Sequence, residues 1–131
     1  MRCKGRIAVA LAAVALAGCG GSGSSDQQQV RTAFNTVIHD LADHNPAACS
    51  LFTERYALEN TGLSSYPAAL AKCRAHTRSA TLTIPKGLKV NSVKVKGNSA
   101  TLKASAPGQG SGLFHLLKVN GQWKIDSVTA R

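Results

Sequence analysis

The stretch GNSATLKASAPGQGSGLFHLLKVNGQWKIDSV, Gly97 to Val128, decides the fold. Its period is two. Ala100, Leu102, Ala104 and Ala106 alternate with Thr101, Lys103 and Ser105, the pattern of a strand with one covered face. Pro107 to Gly112 holds three glycines and reads as a loop. Leu113 to Val119 is nearly all apolar, which predicts a central strand buried on both faces. Asn120-Gly121 is the strongest hairpin signal in the chain, because a tight two-residue turn needs positive φ at both positions. Gln122 to Thr129 then forms the last strand, with Trp123 and Ile125 on one face.

Working upstream, Leu88 to Lys96 sets Val93 and Val95 against Lys94 and Lys96, and Gly97-Asn98 supplies another two-residue turn. Leu82 and Ile84 alternate with threonines before Pro85-Lys86-Gly87, which adds a further short strand and a turn. Before Ser79 the period is helical. Val30, Phe34, Val37, Ile38 and Leu41 make one apolar stripe on a helix of about 15 residues, opened by Asp26 with Gln29 in a capping-box arrangement. Asn45-Pro46 caps and starts a second helix that runs to about Leu58, with Cys49, Phe52 and Tyr56 on one face. A third helix begins near Ser64 or Ser65, with Tyr66, Leu70 and Cys73 on its buried stripe. The expected fold is α+β: three N-terminal helices packed on a curved antiparallel sheet of four to five strands.

The N-terminus has a different character. Arg2, Lys4 and Arg6 precede an uncharged run from Ile7 to Ala17, too short for a membrane span but of the length of a signal-peptide core. Leu16-Ala17-Gly18-Cys19 resembles the lipobox of bacterial lipoproteins. That resemblance implies a signal peptide at residues 1–18, cleavage before Cys19, and lipid on the Cys19 thiol. Two or three acyl chains anchor a protein stably where one does not. Residues 19–29 would then be the lipidated cysteine and a flexible tether, and residues 30–131 a single domain. The expected location is the extracytoplasmic face of a cell membrane.

Cysteine usage follows from that reading. Cys3 leaves with the signal and Cys19 carries lipid, so Cys49 and Cys73 remain, and in an oxidising compartment a leftover pair suggests a disulfide if its geometry permits. Without the signal, thirteen Lys and Arg stand against six acidic residues, a balance of +7. Nucleic acid is not expected, because no aromatics interleave the lysines. The lysines either meet anionic lipid headgroups or envelope polymers, or simply keep a polar sheet face soluble. A monomer or weak dimer is expected.

Gly97, Ala100, Leu102, Phe114 to Val119, Gly121, Trp123, Lys124 and Ile125 together resemble the C-terminal hairpins of the nuclear transport factor two-like superfamily, over about 30 residues. The resemblance is nearest to the small actinobacterial lipoproteins of that superfamily, and it implies a sheet wrapped against helices around a conical pocket. Phe34, His115 and Trp123 are the candidate pocket-lining residues. Enzymes of the superfamily, such as ketosteroid isomerase, use pocket carboxylates with a tyrosine or histidine. None of Asp26, Asp40, Asp43, Glu54, Glu59 and Asp126 has an inward position in this pattern. His39 with Asp43 has the spacing of a surface pair. No catalytic residues, cofactor or metal site is expected. A non-enzymatic binding module comes first, then a subunit docking through Lys94, Lys96 and Lys103, then a small enzyme using His115 or His39.

Overall fold

The computed structural model describes residues 23–79 and 83–130. The signal segment and Cys19 lie outside the described residues. Helix α1 spans Gly23–Ala42. It starts upstream of Asp26, so residues 23–25, expected in the flexible tether, belong to the helix. The cause is tertiary. Asp26 sits in the first turn, where a carboxylate suits the helix dipole, and its Oδ1 lies 3.4 Å from Lys118 Nζ on the sheet. Val30, Phe34 and Val37 are buried along α1, with Ile38 and Leu41 packed beside them, as the stripe requires.

Asn45 accepts a hydrogen bond from the Ala47 amide, and Pro46 opens the next segment. The expected second helix is two pieces. Pro46–Leu51 is a 3₁₀ turn, and α2 spans Glu54–Thr61. The break falls at Phe52 and Thr53, where the Thr53 amide donates to the Ile125 carbonyl at 2.9 Å and Phe52 bridges Ile125 in parallel. That stitch to the sheet takes a backbone donor that a continuous helix would have used internally. The Thr53 hydroxyl oxygen then caps α2 by accepting from the Tyr56 amide, and Gly62 ends it with φ 71°.

Helix α3 spans Tyr66–Ser79. Its most buried residues are Ala69 and Thr77, with Cys73 between them as expected, so the inward line is small and Tyr66 and Leu70 stand half-buried beside it. Small side chains bring α3 close to the 3₁₀ turn. There Cys73 forms a disulfide with Cys49, Cα to Cα 6.0 Å, and the Thr77 hydroxyl lies 3.5 Å from Cys49 Sγ.

The sheet is an antiparallel meander in the order β1-β2-β3-β4, with β1 Lys89–Lys96, β2 Ser99–Ala106, β3 Gly110–Val119 and β4 Gln122–Ala130. These are the strands among the described residues. Ile84 is not in one, and Leu82 lies outside them. The loop after β2 is shorter than expected, since Gly110 and Gly112 already belong to β3. Register shifts in the β1–β2 and β3–β4 pairs bend the sheet. Asn120 and Gly121, with φ 50° and 80°, make the turn that the sequence announces.

Helices cover one face only. Val93, Leu102, Leu116, Trp123 and Ile125 meet Val30, Phe34, Val37 and Leu51 in one core. Strand β3 is therefore not buried on both faces. Leu116 is buried, whereas Leu117 on the opposite face is 38% exposed.

Candidate functional site

The inner face of the sheet is where a cone would open, and it is filled. Phe34 packs edge-on against Phe114 with ring centroids 4.7 Å apart, and Leu102 and Leu116 are fully buried beside them. Of the expected pocket residues, Phe34 and Trp123 lie in this core at 1% and 3% exposure. His115 does not join them. It sits between Phe114 and Leu116 on β3, so it projects from the other face, where its Nδ1 lies 3.4 Å from Thr101 Oγ1. A run that is apolar at nearly every position gives no parity, and the sequence reading put His115 on the wrong side.

Space for a ligand lies elsewhere. A groove of about 470 Å³ runs between the end of α1, α2 and α3, lined by Leu41, Phe52, Tyr56, Asn60, Cys73 and His76 among others. Phe52 and Tyr56 stack with centroids 5.0 Å apart and form one wall. Burial raises the Tyr56 phenol above its ordinary pKa. The groove has an apolar wall with amide, imidazole and phenol groups around it, the composition of small-ligand sites. A second, shallower groove of about 570 Å³ lies between the first turns of α1 and the β3–β4 turn, where Gln28, Gln29 and Thr32 face Trp123. The Trp123 indole nitrogen is buried and has no acceptor among the described residues.

The carboxylates are engaged at the surface. His39 and Asp43 are 3.3 Å apart and both well exposed, an ordinary helix pair. Asp126 is more informative. Its carboxylate accepts from Thr53 Oγ1 at 2.7 Å and from Arg55 Nη2 at 2.6 Å, while Arg55 Nη1 donates to Glu59 at 2.7 Å. Burial acts to raise the Asp126 pKa, but the hydrogen bonds from Arg55 and Thr53 and the charges of Arg55 and His115 outweigh it, so the carboxyl is held below its ordinary value. This clamp fastens the start of α2 to β4 beside the Phe52 stitch. The sequence carried no signal for it, because its partners are 71 and 73 residues apart.

A depressed folded pKa stabilises the fold above the ordinary carboxylate range, near pH 4, and that contribution is lost as pH falls through the lower folded value. Asp126→Asn should therefore be less stable than the parent at pH 7, with the gap shrinking on acidification. Urea midpoints measured from neutral to strongly acid pH check this, and a gap that stays constant with pH refutes the clamp.

Among the described residues no group of three His, Cys, Asp or Glu side chains is placed to hold a metal ion, and no helix is long and apolar enough to cross a membrane. No family model and no curated protein matches the chain. A solved structure does. An NTF-2-like protein of unknown function from Silicibacter pomeroyi superposes with a TM-score of 0.53 at 21% identity, over 82% of this chain and 96% of that one. The domain has the nuclear transport factor two-like fold. The space between the helices and the meander is occupied by the protein's own aromatic and aliphatic side chains. Fold alone does not assign a reaction.

Proposed function

We propose that the protein is a lipid-anchored lipoprotein of the extracytoplasmic membrane face, and that its domain is a non-enzymatic binding module with its site in the groove between α2 and α3. The anchor reading rests on Leu16-Ala17-Gly18-Cys19 and on a disulfide between the two cysteines that this reading leaves over, a bond at home in an oxidising compartment. The observation that carries the binding reading is the contrast between a filled cone and an open groove walled by stacked Phe52 and Tyr56. A ligand there would be small and partly apolar, with its polar end toward Tyr56, Asn60 or His76. It needs no cofactor.

Intact mass of the protein drawn gently from its native membrane tests both halves. The expected mass is residues 19–131 plus acyl chains, two hydrogen atoms heavier after reduction of the Cys49–Cys73 bond, with additional small-molecule mass retained. His76→Trp, a change at an exposed position on the groove rim, should abolish that retained mass while leaving the melting temperature in place. An unlipidated mass overturns the anchor. Retained mass that survives His76→Trp overturns the site.

A further inference from the structure

The register of the sheet sorts its charges. On the face away from the helices, Lys96, Ser99, Leu117 and Lys124 form one cross-strand row; Lys94, Thr101, His115 and Ser127 form the next; and Ser92, Lys103, Leu113 and Thr129 form the third. Lys89, opposite Ser105, shares that face. None of these positions is acidic; the acid beside them is Asp126, at the β4 bulge between Ile125 and Ser127 near His115, and its carboxylate is taken up by Arg55 and Thr53. The remaining strand lysine, Lys118, turns to the helix side and pairs with Asp26. The face thus spans about 14 Å from β1 to β4, at about 4.8 Å per strand spacing, and carries ammonium groups around half-buried Leu113 and exposed Leu117.

The chain also says which end of that face meets the anchor. The first turn of α1 lies against the β3–β4 turn, through Asp26 and Lys118 and through the groove shared by Ser25, Gln28, Gly121 and Gln122. The β1–β2 turn is beside it, since the Lys118 amide donates to the Asn98 carbonyl at 2.8 Å. The row holding Lys96, Leu117 and Lys124 is next to these turns. Helix α1 begins at Gly23, four residues after Cys19. Four residues reach at most about 14 Å however they are arranged. A lipid on Cys19 would therefore hold Gly23 within that distance of the headgroups and bring this end of the sheet toward them, within the roughly 30 Å over which charges act at low salt.

We propose that the outer sheet face, at the end bearing Lys96, Leu117 and Lys124, is a second membrane contact that lies on an anionic lipid leaflet. The location of that contact rests on the anchor reading, whereas its preference for negative charge rests on the sheet alone. Lysines near an anionic surface are attracted over about a Debye length, and an apolar side chain among them can enter the interface. The domain is then held at two points, by acyl chains and by this face, so it is oriented rather than hanging from a linker.

The test is lysine acetylation, read residue by residue by mass spectrometry, on the intact protein taken from its native membrane and reconstituted at low salt. One set of vesicles contains phosphatidylglycerol and phosphatidylcholine in equal parts, the other phosphatidylcholine alone. In the anionic vesicles Lys96 and Lys124 should react about threefold or more slowly, Lys94 and Lys103 less so, and Lys72 and Lys86 unchanged, with high salt erasing the pattern. K96E together with K124E, both changes on the sheet surface, should remove the protection of Lys94 and Lys103. Equal reactivity in the two vesicle types overturns the proposal. So does protection that appears in detergent and grows with protein concentration, which would make the face an interface between copies. Protection in native membranes but not in protein-free anionic vesicles overturns it in favour of a macromolecular partner. Failure of the anchor would show separately, as an unlipidated intact mass, while the comparison of the two vesicle types still decides the face.

Discussion

Phe34→Ala should remove about 3–5 kcal/mol of stability and lower the melting temperature by on the order of 15 °C or more for a domain of about 100 residues. Phe34 is the side chain through which α1 fills the cone. It is buried, it meets Phe114 edge-on, and it shares the core with Leu102 and Leu116. Truncation loses the transfer free energy of the ring and leaves a cavity between a helix and a sheet that are each held in place by other contacts. Such a void closes poorly, which places the cost toward the upper part of the range. The same void is apolar, so a small aromatic solute should bind it and restore part of the loss. Thermal unfolding with and without benzene measures both effects. A loss below about 1 kcal/mol would mean that the cone is not packed by this ring.

Replacing Cys49 and Cys73 together by alanine should cost about 3 kcal/mol. The bond closes a loop with a sequence separation of 24, and it joins the 3₁₀ turn to α3. Chain entropy is only part of the expectation. Helix α3 buries mainly Ala69 and Thr77, so it brings little apolar area of its own to the core. Its attachment depends on the covalent link and on a hydroxyl beside it more than on hydrophobic burial. Amide exchange in α3 should therefore accelerate more than exchange in β2 and β3 when the bond is removed. Uniform acceleration across the domain would show instead that α3 is secured by packing.

The sheet was legible because its signals are local. Alternation in Ala100 to Ala106 and the dipeptide Asn120-Gly121 each specify backbone geometry within a few residues, and the strands appear at those positions. The stripe on α1 is equally local. The division of the second helix was not legible, because Phe52 and Thr53 leave the helical path to reach Ile125, far along the chain. The start of α1 was hidden for the same reason, since residues of weak helical preference are held by an ion pair with Lys118. Of the three residues expected to line a pocket, Phe34 and Trp123 lie in the filled core, His115 is on the opposite face, and none of them lines the α2–α3 groove. The conical pocket that the resemblance implies is closed instead by the packing of Phe34 on Phe114. The α2–α3 groove was invisible, because it exists only where three helical pieces meet.

The stitch between Phe52 and Ile125 has a consequence for what the sheet can do in company. An open meander has two lateral borders, each a row of unpaired amides and carbonyls that invites another polypeptide to extend it. On the β4 side the Thr53 amide already occupies the Ile125 carbonyl. The β1 border is irregular between Val90 and Ser92 and carries Lys89, Lys94 and Lys96. Neither border is a flat template, so the domain resists templated aggregation even at the high local densities that confinement to a surface would create.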